Sequence, residues 1–247
     1  MYRERRYRQA SHAPDLYAFE VMVQETDLFI QAERDLSSLV RKVVEELRDQ
    51  LEGYLSFHPE FGTSLLPLAP SPLSPPIAHL MATAASRAGV GPMAAVAGSF
   101  AELLGQELFA YSSELIVENG GDIFLRSSRP RVVGVHAGKS PWSDRLGLRV
   151  KSQGQPLGIC TSAGALGHSF SLGRAEAVVI LAPSAALADA VATAAGNRIQ
   201  RKEDIPETLR WIRSIPGVTG ALLIAESELG AWGDFELIDL ESEGTLG

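Results

Sequence analysis

Cysteine, paired histidines, basic stripes and long apolar runs are all missing or scarce in this sequence, and each shortage removes a class of function. One cysteine in 247 residues, Cys160, excludes an internal disulfide and fits a reducing compartment. Five scattered histidines, His12, His58, His79, His136 and His168, show no paired spacing of a zinc site. Lysine and arginine number 22 against 30 acidic residues, a formal charge of −8, so no basic stripe is available to neutralise nucleic-acid phosphates. The most apolar helical stretch, 93–110, is interrupted by Glu102, Gln106 and Glu107, which predicts a buried helix and not a membrane span. The one basic cluster, Arg3, Arg5, Arg6 and Arg8, is followed by no apolar core of a signal peptide. The expectation is a cytoplasmic protein with neither nucleic acid nor membrane as partner.

What is present is 45% hydrophobic, enough over this length for one large core or two small ones. Residues 17–24 and 27–32 read as two strands around a polar turn. Asp35 is a plausible cap for a long helix, in which Leu36, Leu39, Val40, Val43, Val44, Leu47, Leu51 and Leu55 recur at helical spacing. The proline- and serine-rich segment 59–76 predicts a long surface connection without regular helix. Pro76 and Pro92 suit first-turn positions, so 77–88 and 93–110 read as a helix pair broken at 89–91. The small side chains of Ala94, Ala95, Ala97 and Gly98 imply that something packs close to this backbone, either another helix or a flat ligand ring. Further strands are expected at 114–117, 123–125, 132–136, 146–150, 177–181, 218–225 and 235–240, and helices at 184–195 and 205–214. Strand, strand, helical block, strand, strand recurs in each half. That order predicts an α+β fold of antiparallel sheets covered by helices, one domain over 1–247 built of two pseudo-repeats, about 15–126 and 131–240.

The richest stretch for chemistry is 158–197. Gly158-Ile159-Cys160-Thr161-Ser162-Ala163-Gly164 reads as a donor-rich loop, in which Thr161, Ser162 and Gly164 leave room for a phosphate on backbone N–H groups. Cys160 itself reads as a small buried hydrophobe. After an apolar strand comes a helix with Asp189 and Thr193 four apart on one face, among alanines. Either they hold something, or Thr193 returns its hydroxyl to the Asp189 carbonyl and Asp189 lies toward solvent. Asn119-Gly120-Gly121-Asp122 has the composition of a tight hairpin turn, in which Asn-Gly supplies positive φ.

The run Ala188-Asp189-Ala190-Val191-Ala192-Thr193 resembles the Ala-Asp-Ala-x-Ala-Thr signature of the ApbE-type flavin transferases. Asn119-Gly120-Gly121-Asp122 is similar to the Gly-Gly-Asp turn of that superfamily. Gly91-Pro92-Met93-Ala94-Ala95-Val96-Ala97-Gly98, Val117-Glu118-Asn119 and the approach to Gly167-His168-Ser169 resemble a small cytoplasmic branch of it, over about residues 17–197.

The resemblance implies tandem tunnelling-fold (T-fold) halves with a dinucleotide between them. It implies FAD as cofactor and magnesium on Asp189 and Thr193, shared with the pyrophosphate. Asn119, Gly120, Gly121, Asp122, Thr161, Ser162 and Gly164 would then surround the flavin nucleotide. The implied reaction is transfer of FMN to a threonine hydroxyl of a protein acceptor with release of AMP. The alternative is a non-catalytic protein of the same fold that binds a flavin or a purine- or pterin-like ligand; a homodimer is compatible with either. One departure weighs on the choice. The flavin transferases carry His-x-x-Asp-Pro-x-Thr-Gly, whereas His168-Ser169-Phe170-Ser171-Leu172-Gly173-Arg174 keeps the histidine and a glycine but lacks the aspartate, proline and threonine. His168 remains the candidate for catalytic proton transfer, with a backbone-bonded histidine as the plain alternative.

Overall fold

The structure, a computed structural model, describes residues 13–162 and 173–243. Its frame is an eight-stranded antiparallel sheet in the order β1-β2-β3-β4-β7-β8-β9-β10, numbered along the chain. The strands are β1 (Tyr17–Val23), β2 (Thr26–Ala32), β3 (Leu115–Asn119), β4 (Asp122–Arg126), β7 (Leu157–Ser162), β8 (Ala177–Ala182), β9 (Gly220–Ala225) and β10 (Glu228–Gly233). A smaller sheet, in the order β11-β6-β5, consists of β5 (Arg131–Gly134), β6 (Leu146–Val150) and β11 (Glu236–Asp239).

Each face of the large sheet has its own cover. One carries α1 (Ser37–Phe57), α2 (Pro59–Thr63), α3 (Pro76–Ala88), α4 (Val96–Leu108), α5 (Ala185–Arg198) and α6 (Ile205–Arg213). The other packs on the small sheet. β8 shows why the sequence must be apolar throughout: Val178 and Ile180 face the helices, Val179 and Leu181 the small sheet, and all are buried. The stripe of α1 likewise buries Val40, Val43, Val44, Leu47 and Leu51.

The two-strand, helix, two-strand order appears twice, as β1–β2 to β3–β4 and as β7–β8 to β9–β10, and the β4–β7 pair joins the halves. The strands expected at 132–136, 146–150 and 235–240 instead form the separate layer. Residues 157–162 are a strand between β4 and β8 where a loop is expected, and β10 has no counterpart in the sequence reading. The helix expected from 93 begins as a tight 3₁₀ turn, Pro92–Ala95, before α4. Five residues of the proline-rich connection are helical, as α2. Leu36 holds the cap position of α1, while Asp35 accepts the Ser37 N–H at 2.8 Å from one residue further out. Among the described residues no single helix is long and apolar enough to cross a membrane.

Candidate functional site

The first turns of α4 and α5 meet above the end of β3, β4 and β7. Glycine permits the approach: a Cβ on Gly98 would lie 2.3 Å from the Ala185 carbonyl oxygen and 2.8 Å from Cβ of Asp189. The small residues near 94–98 are therefore explained by a neighbouring helix. Each helix sends a carboxylate to the other's N-terminus. Asp189 of α5 accepts the Gly98 N–H at 2.9 Å. Glu102 of α4 accepts the Ser184 hydroxyl at 2.7 Å and the Ala186 N–H at 3.1 Å. Helix N-termini leave backbone donors unpaired, and both exchanges satisfy such donors at the crossing. Ser184 is the N-cap of α5 and accepts the Leu187 N–H at 3.2 Å.

On the sheet side the turn is made by Gly120 at φ +67° and Gly121 at φ +106°, so the positive angles belong to Gly-Gly and not to Asn-Gly. Asn119 and Asp122 are the paired residues that flank it. The Asn119 amide donates to the Ala97 carbonyl at 3.1 Å, tying the turn to α4. Gly121 N–H donates to Glu118 Oε1 at 2.7 Å. Asp122 is buried opposite Cys160 in the β4–β7 ladder. Burial pushes its carboxyl up to about 7, with the Glu118 charge adding and the contact with the Cys160 sulfur and the hydrogen bond from the Thr161 amide opposing. Burial and the Asp122 charge push Asp189 well above the carboxylate range, against the N–H groups of Gly98 and Ala97. The Cys160 thiol donates to the Ala185 carbonyl at 3.2 Å, and burial with both aspartates holds it far above its ordinary value. It is an inert core thiol.

Asn119, Gly120, Gly121, Asp122 and Asp189 thus come together around the first turn of α4. Asp189 and Thr193 are only 8% and 9% exposed, which removes the solvent-facing reading of the aspartate. No hydrogen bond among the described residues engages the Thr193 hydroxyl, so the local bond back to Asp189 is not made. Thr161 and Ser162 end β7 and pair with Val179 and Val178, a correction to the loop reading. Strand alternation turns the Thr161 side chain away from the face of Cys160, while Ser162 shares it. Gly164 and His168 lie outside the described residues. Glu102 is the site-forming residue that sequence reasoning missed; its signal was an acid in an apolar helix, blurred by Gln106 and Glu107 nearby.

Among the described residues no three His, Cys, Asp or Glu side chains gather as a metal cluster. A divalent cation fits here on other grounds. Two buried carboxyls lie within electrostatic reach of each other, near the Thr193 hydroxyl, which has no partner among the described residues, and a hard cation takes such oxygens with water and phosphate to complete its shell.

The fold defines a class. Over 92% of this chain and 96% of theirs, the structure superposes on Pseudomonas stutzeri flavinyl transferase ApbE in its apo form with a TM-score of 0.59 at 13% identity. For the flavin transferase ApbE from Vibrio cholerae the TM-score is 0.55 at 13% identity, over 88% of this chain and 96% of that one. A family model described as AbpE bacteria matches residues 8–210. A UPF0280 protein of Methanococcus vannielii is 36% identical over 240 residues, 94% of this chain and 97% of its own length. One from Methanopyrus kandleri is 38% identical over 222 residues, 89% of each chain. The chain belongs to this ApbE-like family.

Proposed function

We propose that the protein binds FAD together with a magnesium ion where Asn119–Asp122, the first turn of α4 and Asp189 meet. The observation that carries this reading is the buried pair Asp122 and Asp189, whose negative charge must be balanced by a proton or a cation. Asp189 and Thr193 would hold the cation from one side only, so its remaining ligands come from water and a pyrophosphate, and metal and nucleotide bind together. Gly120 and Gly121 leave backbone uncovered for the nucleotide. The flavin transferases among the solved relatives support the choice of ligand.

In the enzymatic reading the phosphoanhydride between the FMN and AMP halves breaks. A phosphoester forms to a threonine hydroxyl of an acceptor protein, AMP leaves, and His168 is the candidate to take the hydroxyl proton. Bound magnesium would supply Lewis-acid polarisation of the pyrophosphate. The second reading, binding of a flavin or a purine- or pterin-like ligand without transfer, is favoured by the absence of aspartate, proline and threonine after His168.

Incubation with FAD and then desalting, in magnesium or in EDTA, tests both. The wild type should retain a yellow chromophore at equimolar stoichiometry in magnesium only. Asp189→Asn should retain it at least about tenfold more weakly, roughly 1.4 kcal/mol, with an unchanged circular dichroism spectrum, and Thr193→Val less severely. Equal retention by both proteins in EDTA and in magnesium would remove the metal, and no retention by either would remove the flavin. AMP release in the presence of a threonine-bearing acceptor separates transfer from binding.

A further inference from the structure

The two ends of the large sheet are finished differently. β1 is backed by α1, from which Arg41 donates to the Met22 carbonyl at 3.1 Å. Among the described residues no side chain caps the outer edge of β10 in this way. Its loop to β9 is two residues long, Glu226 and Ser227 at φ +50° and +66°, which makes Ala225 and Glu228 a hydrogen-bonded pair. Antiparallel alternation then turns the N–H and C=O groups of Leu229 and Ala231 away from β9. No hydrogen bond among the described residues engages them. The strand Glu228-Leu229-Gly230-Ala231-Trp232-Gly233 also lacks the proline or lysine that blunts an exposed edge. α6 holds it from beneath, so close that a Cβ on Gly230 would lie 2.4 Å from Cγ2 of Ile205.

We propose that β10 pairs with β10 of a second copy of this chain, antiparallel about a two-fold axis through Gly230, so that two eight-stranded sheets become continuous. In that register Leu229 of one copy lies opposite Ala231 of the other, and the outward groups of both residues close hydrogen bonds on each side of the axis. The same register sets Glu228, which in its own copy makes an exposed ion pair with Lys202 at 3.6 Å, beside Trp232 of the other. Over that ring sits the Arg213 guanidinium, 5.2 Å from its centroid and without a carboxylate partner among the described residues. Any extended peptide could take an open edge, but an antiparallel copy brings an acid to this arginine twice in one interface. The inference does not depend on what the site near Asp189 binds.

Sedimentation velocity of the full chain over a concentration series tests it. The wild type should sediment as a dimer. Ala231→Pro removes an outward N–H and no bond to β9, so it should weaken the dimer at least about tenfold while the monomer stays folded. Glu228→Arg and Arg213→Glu should each weaken association, and the double exchange should restore it. If Ala231→Pro does not fold, the charge exchange decides alone. A wild type that stays monomeric, an Ala231→Pro protein that dimerises like wild type, or a double exchange that recovers nothing would each overturn the proposal.

Discussion

Asp189 and Glu102 carry the same side-chain chemistry in the same kind of helix, and only one of them is conspicuous in the sequence. Asp189 has Thr193 one turn away, so its spacing draws attention. Glu102 has Gln106 and Glu107 nearby and reads as a break in an apolar run. Their partners are backbone N–H groups on the opposite helix, and which turns meet depends on how α4 and α5 cross, a tertiary fact that no local pattern contains. The reciprocal exchange has a measurable consequence. Glu102→Gln keeps the shape but removes the charge that meets Ser184 and Ala186, and should cost about 0.5–2 kcal/mol in denaturant unfolding. A midpoint identical to wild type would show that the contact contributes no stability.

Among the elements, those with a periodic apolar pattern were legible and those built for close approach were not. β8 and α1 announce themselves through burial on two faces and on one stripe. β7 was hidden because Gly158, Thr161 and Ser162 are read as loop residues. Yet Gly158 is there because α5 begins directly above it: a Cβ would lie 2.4 Å from Cα of Ala185. Gly230 conceals β10 in the same way beneath α6. Ala185 is thus pressed between Gly158 of the sheet and Gly98 of α4, with backbone on both sides and no side chain able to yield. Gly158→Ala and Gly98→Ala should each destabilise by about 1–3 kcal/mol, a fall in melting temperature of roughly 2–4 °C per kcal/mol. Unchanged melts for both would mean that α5 does not start against the sheet.

At the scale of the molecule, alternation of strands with helices was legible, but the grouping of strands was not: those expected at 132–136, 146–150 and 235–240 lie in the small sheet, since a strand's own pattern does not say which sheet it joins. Polar bonds fasten that layer. Arg131 of β5 donates to Asp15 at 2.5 Å, to Glu114 at 2.8 Å and to Ser127 at 2.8 Å, joining the small sheet and the start of the described chain to the approach of β3. Burial opposes the Glu114 charge, yet hydrogen bonds from Ser127, Ser128 and Arg131 outweigh it and bring its carboxyl down from 4.5 to about 2. This stabilisation is complete above pH 4.5 and is lost as pH falls toward 2, on the order of 2 kcal/mol after screening by solvent. Asp122 acts in the opposite sense. With its carboxyl raised from 3.8 to about 7, the folded state holds the extra proton across that window, and stability falls as pH rises through it. Without nucleotide or metal, Glu114 should therefore steepen the acid limb of the stability curve, and Asp122, with Asp189 in the same sense, the limb toward neutrality. Denaturant midpoints across the pH range check this: Glu114→Gln should flatten the acid limb, and Asp122→Asn the limb toward neutrality. We read the chain as one folding unit because the β4–β7 pair carries the large sheet across both halves, so each midpoint should describe a single transition. Two resolved transitions would divide the halves, and an Asp122→Asn protein whose limb toward neutrality matches wild type would show that Asp122 does not titrate in that window.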